Sequence, residues 1–206
     1  MQSYKDITKV SYQLTAKEFA KNVMQLAPNQ SIDKLASLLP PKGTIIDIGC
    51  GSGRDAKIFS EKGFTVTGID FCPELLAIAK EHAPLATFKI MDIEELSFSE
   101  SSFDGVWSAC SLGHIPKNVL PEILMTINKI LKKGGYFYLA LKQGTGEGLE
   151  VDTRYKGDIK KYLSYYTAQE LKVLLNNARF KILDIAHIEK NHSYVKHSAL
   201  RVFCQK

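Results

Sequence analysis

A glycine-rich turn between an apolar strand and a helix constrains the fold of this 206-residue chain more than any other feature. The stretch TIIDIGCGSGRDAKIFSEKG, residues 44–63, starts with isoleucines and continues through glycines at positions 49, 51 and 53. Glycine permits positive φ angles and lets the backbone approach a ligand closely. The helix that follows presents free N–H groups at its start. We therefore predict a ligand-binding turn at the carboxyl end of a strand.

Strand and helix patterns alternate along the rest of the chain. The spacing predicts strands over 44–48, 64–69, 86–91, 103–109 and 136–142, and helices over 16–27, 31–39, 53–62, 73–83 and 119–131. Ser31 is the predicted N-cap of the second helix, and Pro73 suits a first helical position. Helices between consecutive strands imply right-handed crossovers and a parallel sheet covered on both faces.

The last quarter of the chain follows another pattern. Thr167 and Glu170 are spaced as a capping box at the start of a helix. Two β-rich runs, 180–190 and 194–206, follow it with only a short polar stretch between them. That connection is too short for a crossover helix, so we predict that these two strands are antiparallel neighbours.

Composition excludes several classes of protein. Four scattered cysteines without a Cys-x-x-Cys pair favour reduced thiols in a cytoplasmic protein, and argue against a disulfide framework or a zinc site. No apolar run is long enough to span a membrane, and the N-terminus does not resemble a secretory signal. Residues 151–206 carry 11 Lys and Arg against 5 Asp and Glu. This excess indicates either a solvated basic surface or an attraction for an anionic substrate, nucleic acid included.

Acidic residues at two further strand ends narrow the choice of ligand. The dinucleotide fingerprint requires a third glycine where this chain has Arg54. Asp70 ends the next predicted strand, where a carboxylate can accept hydrogen bonds from both hydroxyls of a ribose. Asp92 ends the third strand and can accept from an adenine amino group, between the apolar side chains of Met91 and Ile93. A helix cap or a surface acid is the alternative role for each aspartate.

These motifs resemble those of the class I, Rossmann-like S-adenosylmethionine-dependent methyltransferases. The similarity runs through IIDIGCGSGRDAKIFSEKGFTVTGIDFCPELLAIAK, MDIEELSFSESSFDGVWSACSLGHIP and ILKKGGYFYLALKQG, within residues 40–145. It implies one α/β domain over residues 1–206, a three-layer sandwich whose mostly parallel seven-stranded sheet has the order 3-2-1-4-5-7-6 and an antiparallel C-terminal hairpin. Cap helices over 1–39 would precede the core, and a lid segment, a helix and the hairpin would occupy 146–206.

The resemblance also implies S-adenosyl-L-methionine as cofactor. His187, His192 and His197 are too far apart in the sequence to predict a metal site. The turn from Asp47 to Gly53 would hold the amino-acid portion, Asp70 the ribose and Asp92 with Ile93 the adenine. Ser108 would contact the methionine portion through its backbone, and Tyr12 on a cap helix would close over the cofactor. The full set of predicted cofactor residues is Asp47, Gly49, Cys50, Gly51, Gly53, Asp70, Phe71, Met91, Asp92, Ile93, Ser108 and Tyr12.

The catalytic group and the acceptor are less constrained by the sequence. His114 follows the fourth strand and has a suitable pKa for a general base, although a loop histidine bonded to backbone is the alternative. SACS replaces the NPPY-like tetrapeptide of DNA and glutamine N-methyltransferases. We therefore expect methylation of an O, N or S atom of a small molecule. An RNA methyltransferase and a non-catalytic cofactor-binding regulator are the alternatives.

Overall fold

The computed structural model describes residues 3–189 and 192–206, which form nine strands and six α-helices. The strands are β1 Thr44–Ile48, β2 Thr65–Asp70, β3 Thr87–Ile90, β4 Phe103–Ala109, β5 Leu131–Lys142, β6 Glu147–Val151, β7 Lys160–Ser164, β8 Lys181–Ile188 and β9 Ala199–Gln205. The helices are α1 Tyr4–Val23, α2 Asn29–Leu38, α3 Arg54–Glu61, α4 Pro73–His82, α5 Leu120–Ile130 and α6 Ala168–Asn177.

Seven strands form one sheet in the order β3-β2-β1-β4-β5-β9-β8. The pairs from β3 to β5 are parallel, and β9 is antiparallel to both of its neighbours. This confirms the predicted α/β sandwich, its strand order and its antiparallel terminal hairpin. Residues 190 and 191, part of the predicted last strand pair and its connection, lie outside the described residues.

The sheet is covered on both faces because successive residues of a strand point to opposite sides. Ile46 and Ile48 of β1 pack with α5 and α6, whereas Ile45 packs with α2 and α3. On the second face, the Trp107 ring of β4 stacks on Tyr138 of β5 with ring centroids 3.8 Å apart. The two apolar layers hold the carboxyl ends of β1, β2, β4 and β5 at one edge of the sheet.

The N-terminal helices differ from their predicted bounds. α1 begins at Tyr4 with a capping box between Ser3 and Asp6, twelve residues before the predicted start. Its buried face consists of small or polar residues, Thr8, Ser11, Thr15, Ala16 and Ala20, so the apolar periodicity is weak. The predicted Ser31 N-cap is wrong, because Pro28 precedes the first turn and its carbonyl accepts from the Ser31 and Ile32 N–H groups.

A two-stranded sheet, β6 with β7, occupies the segment predicted to be a lid. It packs against α1, where the Ser11 hydroxyl donates to the Lys160 carbonyl at 2.6 Å and the Tyr162 N–H donates to Thr8 Oγ1 at 3.0 Å. The hairpin and α1 thus lie together beyond the carboxyl ends of the central strands. No helix in residues 3–189 or 192–206 is long and apolar enough to cross a membrane.

Candidate cofactor and acceptor site

A cavity of about 890 Å³ opens at the carboxyl ends of the central strands, beneath α1 and the β6–β7 hairpin. Its charged lining includes two parts in which opposite signs predominate, with Lys5 and Arg54 also in the first and Glu150 and Asp152 also in the second; Glu189 and Lys196 line the cavity as well. We call the first part the acidic half, which consists of Asp47, Asp55, Asp70, Asp92 and Glu94. We call the second part the basic half, which consists of Lys142, Arg154 and Lys161. His114 and Tyr12 also line the cavity.

The glycine turn borders the acidic half and is held against β2. The N–H groups of Gly49 and Cys50 both donate to the Ile69 carbonyl, at 2.8 and 2.9 Å. Gly49 has a φ of 69°, and a Cβ there would lie 2.3 Å from Ser111 Cβ. Gly51 has a φ of 54°, and a Cβ there would lie 3.3 Å from the Phe19 ring. Gly49 therefore requires glycine for close packing, whereas a side chain at Gly51 would be strained by the positive φ and crowded against Phe19.

Asp70 connects the end of β2 to the glycine turn. Its two carboxylate oxygens accept from the Gly51 N–H and the Cys72 N–H, each at 2.9 Å. The residue is 6% exposed, and this burial raises the pKa of the carboxyl group to about 6 although backbone N–H groups favour the ionised form. Asp70 thus orients the turn while it also lines the cavity.

Two buried polar atoms beside the turn have no hydrogen-bond partner in the part of the chain that the structure describes. They are Asp47 Oδ2 and Ser52 Oγ, both on residues that line the cavity. Burial, followed by the charge of Asp55, raises the pKa of Asp47 well above its usual range. Buried polar groups without partners are costly, so these two atoms indicate a ligand with hydrogen-bond donors, and a cationic donor suits Asp47.

Arg54, which stands where the dinucleotide fingerprint has glycine, fastens the turn to α1. Its guanidinium donates to both Asp55 oxygens, at 2.6 and 2.8 Å, to the carbonyl of Val23 at the end of α1 at 3.4 Å, and to the Leu26 carbonyl just after α1 at 3.1 Å. The second oxygen of Asp55 also accepts from the indole N–H of Trp107 at 2.9 Å. Arg54 therefore stabilises the packing of the turn against the end of α1, a role that could not be predicted from the sequence pattern.

The first turn of α1 covers the far end of the acidic half. Lys5 Nζ lies 2.9 Å from Asp92 Oδ2 and 3.1 Å from Glu94 Oε2, and the Tyr4 hydroxyl donates to Glu94. Asp92 also accepts from the Glu94 N–H at 2.9 Å through its other oxygen. The aspartate predicted to contact adenine is thus paired with a lysine of the helix above it.

His114 forms a hydrogen-bonded pair with Tyr12 inside the cavity. Its Nδ1 lies 2.7 Å from the Tyr162 carbonyl, which only accepts, so Nδ1 carries the proton. Nε2 then accepts from the Tyr12 hydroxyl at 2.9 Å. Burial, with a contribution from Lys142, lowers the pKa of His114 to about 3, so the ring is neutral at physiological pH. The histidine is bonded to backbone and also lines the cavity.

One carboxylate holds most of the basic half together. Asp152 accepts from Arg154 Nε and Nη2 at 2.7 and 2.6 Å, and from Lys161 Nζ at 2.9 Å. Lys161 is 2% exposed, and its ammonium lies 4.0 Å from the centre of the Tyr12 ring. Burial lowers the pKa of both Lys161 and Lys142 to about 8. These contacts bring the basic half next to the Tyr12–His114 pair.

Most residues predicted from sequence lie around this cavity. Nine of the twelve predicted cofactor residues line it: Asp47, Gly49, Cys50, Gly51, Asp70, Phe71, Asp92, Ile93 and Tyr12. Gly53, Met91 and Ser108 lie outside the lining. Gly53 caps α3 at a φ of 79° beside Ala79, and Met91 packs against the core. Ser108 is fully buried, with its hydroxyl bonded to Ser111 Oγ at 2.8 Å.

Sequence reasoning gave no site role to Asp152, Arg154 or Lys161. The excess of positive charge after residue 150 was the one signal in the sequence. It could not show which cations are buried, because their burial depends on the β6–β7 hairpin and its packing on α1. In the structure these residues form part of the cavity wall.

The strand order, the glycine turn after β1 and the acid at the end of β2 define a class: the Rossmann-like fold of class I methyltransferases. Residues 45–135 match the family model described as a methyltransferase domain, and this part of the chain is similar to members of the class I S-adenosylmethionine-dependent methyltransferase superfamily. This superfamily uses S-adenosylmethionine as its cofactor.

Several known proteins are similar to this chain. The 2-methyl-6-phytyl-1,4-hydroquinone methyltransferase of Synechocystis sp. is 38% identical over 107 residues, which are 50% of this chain and 33% of that protein. The ubiquinone biosynthesis O-methyltransferase of Xanthomonas axonopodis is 28% identical over 73% of this chain and 68% of that protein. The chain spans between a third and a half of the length of the first three curated relatives it matches.

Solved structures share the fold over more of the chain. A SAM-dependent methyltransferase from Methanosarcina mazei is 26% identical with a TM-score of 0.75, and the match covers 84% of this chain and 96% of that one. The 1,6-didemethyltoxoflavin-N1-methyltransferase of Burkholderia thailandensis, solved with S-adenosylhomocysteine, gives a TM-score of 0.79 at 21% identity. That match covers 100% of this chain and 91% of that one. At this identity the second likeness concerns the fold.

Proposed function

We propose that this chain catalyses the transfer of a methyl group from S-adenosylmethionine to an O, N or S atom of a small molecule. The observation that carries the proposal is the continuous cavity that joins the glycine turn and its acids to His114, Tyr12 and the basic half. A volume of about 890 Å³ leaves room for a second small molecule beside a nucleoside cofactor.

The acidic half has the residues that such a cofactor requires. Asp70 would accept from the ribose hydroxyls, and the turn at Gly49 and Gly51 would approach the amino-acid portion without a Cβ in the way. The unpartnered Asp47 Oδ2 would pair with the ammonium group. Asp92 would accept from the adenine amino group. The excess of carboxylates in this half complements a ligand with ammonium and sulfonium charges.

When bound, S-adenosylmethionine supplies an electrophilic methyl group for in-line displacement. The chain's contribution is to orient the acceptor and to exclude water, which α1 and the β6–β7 hairpin would do from above. His114 Nε2 accepts from the Tyr12 hydroxyl at 2.9 Å. We propose that an acceptor group takes the place of that hydroxyl at Nε2, where the neutral imidazole would orient it as a hydrogen-bond acceptor. The pKa of about 3 makes His114 a weak base, so the suitable pKa expected from the sequence is wrong.

The first prediction concerns His114. We expect His114→Ala to lower kcat by about a hundredfold, the scale of misplacing a reacting group, with the dissociation constant of S-adenosylhomocysteine unchanged. Tyr12→Phe keeps the aromatic packing of the pair and removes only the hydroxyl, so we expect a smaller loss. Steady-state kinetics and calorimetry measure the two effects. A fully active His114→Ala variant would remove this residue from the mechanism.

The second prediction concerns pH. An ionised Asp70 accepts through both oxygens, whereas protonation turns one of them into a donor and leaves fewer acceptor sites for the ribose hydroxyls, so ligand binding favours ionisation. Since burial raises the pKa of Asp70 to about 6, affinity for S-adenosylhomocysteine should fall as the pH drops through that value. The limiting slope is about tenfold per pH unit for one proton. Titrations in a pH series should show a weaker dependence in Asp70→Asn. A flat profile in the wild-type chain would contradict the assigned role.

Methyl transfer itself is tested with S-adenosylmethionine carrying a ¹³C-methyl group. The chain is incubated with fractionated metabolite extract or with tRNA, and mass spectrometry locates the label and the S-adenosylhomocysteine released. We expect label in the small-molecule fraction. Label in tRNA would favour the RNA alternative. Binding without transfer to either fraction would favour a cofactor-binding regulator.

A further inference from the structure

Lys142 differs from the other cations of the basic half in its ion pairing. Arg154 and Lys161 share the carboxylate of Asp152 at distances of 2.6 to 2.9 Å. Lys142 ends β5 at the cavity wall, and no carboxylate in residues 3–189 or 192–206 lies within ion-pair distance of its ammonium group. Lys142 is half-buried and lines the cavity, so its ammonium group is available to a ligand that enters the cavity.

The surroundings of Lys142 leave a positive excess. The acids that act on it are Asp152 and Glu150, and the latter accepts from the Tyr165 hydroxyl at 2.8 Å. The three cations of the basic half and these two carboxylates together sum to a charge of +1. Arg154 adds to the effect of burial in lowering the pKa of Lys142 to about 8. A bound anion would offset both the burial of Lys142 and its repulsion by Arg154, because a negative charge nearby favours the charged ammonium group.

We propose that the methyl acceptor carries an anionic group, a carboxylate or a phosphate, and that Lys142 binds this group at the end of β5. The inference rests on the proposed function, because it specifies the acceptor of that same site. Two cations of the basic segment after residue 150, Arg154 and Lys161, line the same cavity as Lys142, and Lys161 is 2% exposed. The cations of the basic half would repel a cationic amine at this position.

The test compares probes that share one scaffold and differ in charge. The chain, saturated with S-adenosylhomocysteine, is titrated calorimetrically with benzoate, benzamide and benzylamine. Acetate and methyl phosphate are titrated as well, because they are small anions without the benzene ring. Comparison of the two shows whether the site prefers a carboxylate or a phosphate. We expect at least one anion to bind, benzylamine not to bind, and benzoate to bind at least about tenfold more tightly than benzamide if the site accepts the ring.

Three variants assign the effect to one residue. We expect Lys142→Met to weaken anion binding by about tenfold or more. Lys142→Arg keeps the charge but cannot act as a base, so it should retain most of the affinity. Lys133→Met is the matched control, because Lys133 is an exposed lysine at the opposite end of the same strand. In the wild-type chain labelled with ¹³C at lysine Cε, the anion that binds should raise the pKa of Lys142.

Failure of the anion proposal can be distinguished from failure of the proposed function. S-adenosylhomocysteine should bind all variants equally, and failure of that binding in the wild-type chain would overturn the proposed function itself. With that binding intact, three results would each overturn the anion proposal: no anion binds, benzamide binds as tightly as every anion, or Lys142→Met binds anions like the wild type. Preference for methyl phosphate over acetate would identify phosphate as the group recognised.

Discussion

Gly49→Ala is expected to lower the affinity for S-adenosylhomocysteine by about a hundredfold, the scale of losing one or two hydrogen bonds to a charged group. The added Cβ would lie 2.3 Å from Ser111 Cβ. Ser111 cannot easily move, because its hydroxyl bonds to the Ile48 carbonyl and to Ser108 Oγ. The turn must therefore shift away from β4, and its N–H groups shift with it. Calorimetric titration measures the loss of affinity.

Gly63→Ala is the matched control for this variant. Gly63 also has a positive φ, 90°, but a Cβ there meets nothing within 4 Å. Both alanines pay the conformational cost of the left-handed region, about 1–2 kcal/mol in the free energy of unfolding. Gly63→Ala should show that loss of stability with unchanged ligand affinity. Equal affinities in the two variants would show that the glycine turn is not part of the binding site.

Asp70→Ala is expected to weaken S-adenosylhomocysteine binding by about 1.5–3 kcal/mol, the scale of hydrogen bonds to a charged group. That corresponds to a factor of about 10 to 150 in the dissociation constant. The alanine removes the proposed acceptor for the ribose hydroxyls. It also leaves the Gly51 N–H and the Cys72 N–H without the carboxylate that each contacts at 2.9 Å. Titration calorimetry measures the change.

Asp104→Ala is the control that separates the loss of the ribose acceptor from the loss of backbone hydrogen bonds. Asp104 also accepts a backbone N–H from a neighbouring strand, that of Thr44 at 2.8 Å, but it lies at the amino end of β4, away from the cavity. We expect Asp104→Ala to lower stability, as measured by urea unfolding, and to leave ligand affinity unchanged. If Asp70→Ala bound S-adenosylhomocysteine as tightly as Asp104→Ala, the ribose role of Asp70 would be wrong.

The central sheet could be predicted because its signals are local. The apolar runs of β1 and β4 have the same bounds in sequence and structure, and the glycine turn sits between a strand and a helix as predicted. Parallel strands place their carboxyl ends at one edge of a sheet, so Asp70 and Asp92 reach the same cavity as the turn. The local sequence pattern and the sheet topology together were therefore sufficient to predict the acidic half of the cavity.

The basic half and the Tyr12–His114 pair depend on contacts between parts of the chain that are distant in sequence. The Tyr12–His114 hydrogen bond joins residues 102 apart in sequence. The packing of Ser11 on Lys160 joins residues 149 apart. α1 buries serines and threonines that bond to the β6–β7 hairpin, so neither element shows clear apolar periodicity. For the same reason the charge excess of the C-terminal segment could not be resolved from sequence into a buried cluster and a solvated surface.

Titration calorimetry of the purified chain with S-adenosylhomocysteine and, separately, with NAD tests the central claim most directly. S-adenosylhomocysteine is the product that methyl transfer leaves in the cavity, and NAD is the ligand of the related dinucleotide fold. We predict binding of S-adenosylhomocysteine at one site in the micromolar range and no binding of NAD. Binding of NAD, or of neither ligand, would contradict the assignment of this cavity to S-adenosylmethionine.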